Sequence, residues 1–428
     1  MKILPHPTRA FRILSAAALV FCTALPSGAQ LPPVNPPREW ALTDGNVSAA
    51  LDTFDGRTVV LRFPNGQRKS VPSESLGEAD ASYLAEWQEK QPVVMPDSAG
   101  VDISKIQVEV ISEDEKESKF VYRTQNFEFT CEGKLTQALL RDVARNFEAT
   151  YELVKALPWG IVPEPEEGDR FRALLVRSKV HYEEQGGPKN SGGFYSGARK
   201  MFIIPFENLG IKPLGKSYTK ASDYNSDTLV HELTHQMMHS SLNLLPPWIT
   251  EGTAEYTNSL PLRLGMFRVS AAKTGLKDYV NSMKTRKGGV PNPYPIDKMF
   301  EITPEEWNAT LEKTPEASHR MYFTAFLLVN YFMHMDGKGD GALFVKYMRT
   351  IARARQQIED FKSERKAFKQ KSGESGKAAR PQRPDILASP ENRAEFEKST
   401  LEILLNGRTT DELTKQIRNA YRRYGVDL

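Results

Sequence analysis

Two histidines four residues apart, in His231-Glu232-Leu233-Thr234-His235, constrain this chain more than any other feature. Four residues is a little over one helical turn, so on a helix both imidazoles leave the same face and aim at one point. Glu232 stands beside them. Two imidazoles with an adjacent carboxylate are what a single zinc ion for water-driven hydrolysis requires. The constraint holds only if the segment is helical, and its neighbours predict a helix. Ser226-Asp227-Thr228 offers side chains that cap free amide groups in a first turn. Leu229, Val230, Leu233, Met237 and Met238 then supply an apolar stripe. An ordinary buried helix would carry the same stripe, but it would also bury the Glu232 carboxylate without a partner, which is costly. A cation removes that cost.

A zinc site needs a third protein ligand and an open position for water. His239 follows His235 by four residues but stands eight from His231. That is about 12 Å along a helix. One ion bonded about 2 Å from each nitrogen cannot bridge it. Glu251 is the better candidate, sixteen residues after His235 in Trp248-Ile249-Thr250-Glu251-Gly252-Thr253-Ala254-Glu255-Tyr256. Asn243 to Pro247 reads as a turn. A second helix starting near Thr250 would fold back and lay its first turn on the metal. Glu255, one turn further, reads in two ways. It is either a solvated helix carboxylate or the group that takes the second ring N–H of His231 or His235.

On these residues the chain resembles the gluzincin zinc metallopeptidases, and most of all their peptidase-MA-like bacterial branch. There HExxH precedes a W-x-x-E-G-x-A-x-Y segment. The resemblance implies that His231, His235 and Glu251 bind Zn2+ and that Glu232 is the general base. It spans about Val101 to Tyr347. It also implies an α+β fold, with a mixed sheet, the HExxH helix and a helical C-terminal subdomain.

The pattern upstream suits such a domain. Phe120-Val121-Tyr122 and Asn126-Phe127-Glu128-Phe129 read as strands, and Leu135 to Leu157 as an amphipathic helix. Phe171 to Val176 is a short strand. Gly192 to Gly197 marks a turn into a strand at Met201 to Pro205, which the resemblance makes the sheet edge above the site. An extended peptide adds to such an edge by backbone hydrogen bonds. Hydrolysis also needs a group for the oxyanion. The helix expected over Ala317 to Met335 carries His319, Tyr322, Tyr331 and His334. Gluzincins of this type carry a tyrosine on a later helix, so Tyr322 is assigned that catalytic role, although aromatics at helical spacing usually line a core. Glu207, after the edge strand, is the candidate substrate-binding carboxylate for a free amine. The glycine-rich pattern that accompanies such a group in aminopeptidases is absent.

The chain's beginning reads as a secretory leader over residues 1–29. Lys2, Arg9 and Arg12 precede the apolar run Ile13 to Leu25, and Ser27-Gly28-Ala29 fits a cleavage site. The run is short for a membrane span, and nothing after residue 30 is apolar enough to cross a bilayer. A secreted or periplasmic location follows, with no stable membrane span once the leader is removed. Cys22 lies in the leader, which leaves Cys131 with no partner for an internal disulfide. A net charge of +3 with 26% charged residues, and no basic cluster interleaved with aromatics, gives no sign of a nucleic-acid partner.

Residues 36–90 read as a small module. Arg38-Glu39-Trp40 opens three short strands, at Ser48 to Leu51, Thr58 to Phe63 and Arg68 to Val71. Asp55-Gly56 and Asn65-Gly66 mark hairpin turns, and a helical turn follows at Ser75 to Leu84. The segment resembles the SH3-like homology domain first recognised in yeast endocytic adaptors, a small β-barrel that binds peptides there. Its ligand specificity is not carried over. A linker at 91–100 leads to the metallopeptidase domain at 101–350. Residues 351–390 read as a charged flexible segment, with its first part able to extend a helix and Lys371 to Pro384 as the flexible loop, and 391–428 as C-terminal helices. Three functional readings follow: an exported zinc metallopeptidase acting on peptide or protein substrates, an inactive relative that only binds, and a zinc hydrolase of non-peptide amides.

Overall fold

A computed structural model describes residues 35–42, 45–54, 58–90, 93–189, 191–215, 217–221, 227–284, 292–375, 382–424 and 426. The expected leader, its cleavage site and the Asp55-Gly56 turn lie outside the described residues. Two compact units divide the chain, Met1–Ser82 and Tyr83–Leu428.

In the first unit, strands β1 (Arg38–Leu42), β2 (Gly45–Phe54), β3 (Thr58–Arg62) and β4 (Arg68–Pro72) form an antiparallel meander in that order. Alternation explains its core, because Trp40, Ala49, Leu51, Val59, Leu61 and Val71 point to one side. The Trp40 indole N–H donates to the Ala49 carbonyl at 2.9 Å. Helix α1 (Glu78–Lys90) begins in this unit and brings Asp80 to β1. That carboxylate is buried, pairs with Arg38 at 2.8 Å and accepts from the Ala41 amide at 2.9 Å. A buried carboxylate needs such partners.

The second unit is α+β. Strand β5 (Ala99–Gly100) precedes β6 (Glu109–Asp114), β7 (Lys119–Arg123) and β8 (Phe127–Cys131). Helix α2 (Gln137–Ala156), strand β9 (Phe171–Val176), helix α3 (Lys179–Glu184) and strands β10 (Phe194–Ser196) and β11 (Met201–Pro205) follow. Six of these strands make one sheet in the order β10-β11-β9-β8-β7-β6, with β8, β9 and β11 parallel and the others antiparallel. The Met201–Pro205 strand is therefore not the edge. Residues 194–196, read from sequence as a turn, pair antiparallel with 201–203 and cover it. Gly192 and Gly197 made those residues look like a turn, yet Phe194-Tyr195-Ser196 between them suits a short strand. Phe147 of α2 packs edge-on against Phe127 and Phe129, at 5.2 and 5.0 Å between ring centroids, and so fixes α2 on the sheet. Cys131 is buried and unpaired, and burial pushes its thiol pKa up.

A small hairpin of β12 (Ile211–Leu214) and β13 (Ser217–Lys220) leads to helices α4 (Asp227–Leu242) and α5 (Pro247–Ser259). Strand β14 (Leu262–Arg263) pairs with β15 (Met266–Phe267), which pairs in turn with β5, so the stretch expected as a linker ends inside a three-stranded sheet. Helices α6 (Ala272–Ser282), α7 (Ile296–Met299), α8 (Pro304–Leu311), α9 (Pro315–His334), α10 (Ala342–Ser375), α11 (Pro390–Leu405) and α12 (Thr410–Arg422) complete the unit. The charged segment from residue 351 continues α10 as far as Ser375, a few residues past Lys371, where the flexible loop was expected to begin. Ile351, Ala354 and Ile358 recur at helical spacing and are buried, and they outweigh the charges around them. Helix α11 packs on α10 and α12 on α9. Arg408, between α11 and α12, grips Asp336 just after α9 through two hydrogen bonds at 2.6 and 2.9 Å, and the Tyr421 hydroxyl of α12 donates to the Leu327 carbonyl at 2.6 Å. Among the described residues no helix is long and apolar enough to cross a membrane.

Candidate metal centre

Helix α4 carries both histidines of the pentapeptide, and α5 returns beside it. Pro247 occupies the first helical position of α5, so that helix begins three residues before Thr250. The lost N–H costs nothing there, and the fixed φ suits a helix start. The other residues of the Trp248–Tyr256 segment hold α5 in place. Trp248 is buried with its ring 5.5 Å from Phe300 and 6.3 Å from Phe332 of α9. Gly252 lets α9 come close, because a Cβ there would lie 2.5 Å from the Ala325 carbonyl oxygen. The Tyr256 hydroxyl and His334 Nε2 are hydrogen-bonded at 2.9 Å. Burial lowers the His334 pKa to about 4 and keeps that imidazole neutral. Between α4 and α5, the hydroxyls of Thr234 and Thr257 are bonded at 2.7 Å.

This packing brings three donors together. His231 Nε2 and His235 Nε2 are 3.0 Å apart, and Glu251 Oε2 lies 3.2 and 3.3 Å from them. A tetrahedral ion bonded at about 2.0–2.1 Å spaces its ligand atoms about 3.3 Å apart. The three side chains thus fit a metal ion without rearrangement. Among the described residues they are the one group of His, Cys, Asp and Glu side chains close enough to hold one. Each keeps a little surface exposed, 13% for His231, 16% for His235 and 19% for Glu251.

The groups around the donors set their charge states. Glu255 Oε1 lies 3.1 Å from His231 Nδ1 and so engages the second nitrogen of that ring. A ring oriented this way presents Nε2 as the ligand. Burial works against a charged His231, but Glu251 and Glu255 raise its pKa well above the ordinary value. Burial likewise works to raise Glu251, yet the His235 and His231 rings hold its carboxyl well below the usual range. Glu232 differs. Burial raises its pKa, and the two histidines offset only part of that. A carboxylate with raised proton affinity beside a metal site is poised to take up a proton.

Tyr322 of α9 places its ring centroid 6.1 Å from that of His231. Burial raises its phenol pKa first, and the charges of Glu251, Glu232 and Glu255 add to this, so the hydroxyl stays protonated. Trp307 of α8 stands edge-on to Tyr322 at 5.9 Å; nothing in the sequence singled it out. Glu207 is exposed on the 3-10 turn Phe206–Leu209 and is not among the groups that act on the donors. His239 turns away from the centre. Its Nδ1 donates to the Gln236 carbonyl at 2.9 Å, and its Nε2 lies 3.4 Å from Glu166 Oε1.

No family model matches this chain, and no curated protein matches it. The centre stands on its own geometry.

Proposed function

We propose that the chain is an exported zinc-dependent metallopeptidase of the gluzincin type. The observation that carries this is the convergence of His231 Nε2, His235 Nε2 and Glu251 Oε2 within 3.0–3.3 Å of one another. Half-buried Glu232 beside them supports hydrolysis rather than a structural metal. His231, His235 and Glu251 would hold Zn2+ as two nitrogens and one carboxylate, a donor set used at open catalytic sites. When bound, zinc supplies a Lewis acid that makes water nucleophilic near neutral pH.

The protein groups divide the remaining work. Glu232 takes the proton from the attacking water and returns it to the leaving amine. Tyr322 donates its hydroxyl hydrogen to the developing oxyanion. Glu255 holds the His231 ring in its ligating orientation. The three-residue edge strand β10 offers backbone groups to an extended peptide. In the same reading, the N-terminal meander is an SH3-like module for a peptide ligand, and residues 1–29 direct export.

Glu232→Gln separates chemistry from metal binding. Zinc content is expected to stay at the wild-type level, while cleavage of a mixed peptide library falls by about 10²–10⁴-fold. Equal cleavage by both proteins at full zinc occupancy would contradict the base assignment. A zinc-loaded wild type that cuts no peptide in a diverse library would overturn the peptidase reading.

A further inference from the structure

Tyr279 lies in α6, far from the pentapeptide in sequence. Two close approaches set its position. Gly275, one turn before it, lies against the end of α5, and a Cβ there would stand 2.1 Å from the Ser259 carbonyl oxygen. Only a glycine admits that contact without moving a helix. One turn forward along α6 from Gly275 is Tyr279, and one turn back along α5 from Ser259 is Glu255. The same face of α6 that touches Ser259 therefore presents Tyr279 to Glu255. The Tyr279 ring is held by Phe326 of α9, with centroids 3.9 Å apart, and lies near-parallel to Phe323 at 6.4 Å.

The hydroxyl in this place is buried and makes no hydrogen bond of ordinary geometry among the described residues. A buried donor without a partner is a cost to the fold. Burial raises the phenol pKa well above its ordinary value, and the Glu255 charge adds to it, so the group is an O–H donor. Glu255 in turn holds His231 Nδ1 at 3.1 Å.

We propose that Tyr279 is a positioning residue of the metal centre. Its hydroxyl steadies the Glu255 carboxylate and, through it, the His231 ring. The inference rests on the reading of His231, His235 and Glu251 as zinc ligands and adds an outer member on a third helix. Buried Tyr279 does not touch substrate in this account. It acts by keeping a ligand aimed.

Tyr279→Phe tests this, since it keeps the ring and removes only the hydroxyl. Zinc affinity of the full chain is measured by competition with a chelator, in wild type, Y279F, E255Q and the double variant. Loss of Tyr279 is expected to weaken zinc about tenfold, the lower end of what losing an outer partner costs. In the E255Q background it should cost nothing further, because the two groups act as one unit. The thermal midpoint of metal-free Y279F should stay close to that of wild type, because the ring and its packing on Phe323 and Phe326 are kept. Zinc affinity equal to wild type, or an equal loss in the E255Q background, would overturn the inference alone. A lowered metal-free midpoint that accounts for the whole loss would do the same. A wild type that takes up no zinc would overturn the metal centre with it.

Discussion

Helix α4 carries two pairs of histidines at the same spacing, and only one pair makes a site. His231 and His235 meet at 3.0 Å, with Glu251 closing the group. His235 and His239 are also four apart, yet His239 faces Glu166 instead. Tyr195 of the edge strand donates to the same Glu166 oxygen at 2.8 Å and stacks near His239 at 5.5 Å, while Lys200 pairs with the other carboxylate oxygen. Four-residue spacing gives two side chains a common direction, but each step also advances about 6 Å and turns about 40°. What decides is the element packed opposite. At the first pair α5 brings Glu251; at the second, a loop brings a carboxylate already held by a lysine and a tyrosine. One end of the helix gathers donors that could hold a cation, and the other ties the helix to the sheet edge.

The contrast can be broken by substitution. His235→Ala is expected to weaken zinc binding more than about a hundredfold, beyond the loss of any outer partner. His239→Ala is expected to leave the zinc dissociation constant within about threefold of wild type, since outer groups that do not touch a ligand carry less. Competition titration checks both. Equal losses would show that the two pairs are not distinct.

A smaller effect sharpens the role of α5. Gly252→Ala drives a Cβ toward the Ala325 carbonyl, only 2.5 Å away, and so pushes α5 off α9. Such overpacking costs about 1–3 kcal/mol. Chemical denaturation of the metal-free chain should show that loss. Zinc binding should weaken as well, because Glu251 precedes the displaced glycine. An unchanged denaturation midpoint would mean that the helices separate freely there.

Much of this was legible in the sequence, for local reasons. The strand at Phe171–Val176 has the bounds that its apolar run predicts, and Met201–Pro205 likewise. The pentapeptide and the Trp248–Tyr256 segment carry their meaning in short-range spacing, which a helix turns directly into geometry. What stayed hidden depends on pairing between distant segments. Strand β10 has three residues between glycines, too few for an alternating pattern to show. Ala99–Gly100 becomes a strand only because Met266–Phe267 lies beside it. The far end of helix α10 looked flexible because its charges outnumber the three buried apolar residues beyond 350. Tyr279 gave no signal, since a tyrosine on an amphipathic helix reads as core until Ser259 and Gly275 fix which carboxylate it faces.

The central claim is that one metal ion sits where α4 and α5 converge. Anomalous scattering at the zinc edge, from crystals of the zinc-loaded full chain, tests it most directly. The account predicts one peak within bonding distance, about 2.0–2.2 Å, of His231 Nε2, His235 Nε2 and a Glu251 oxygen. A peak at His239 and Glu166, or no peak between the three donors, would contradict it.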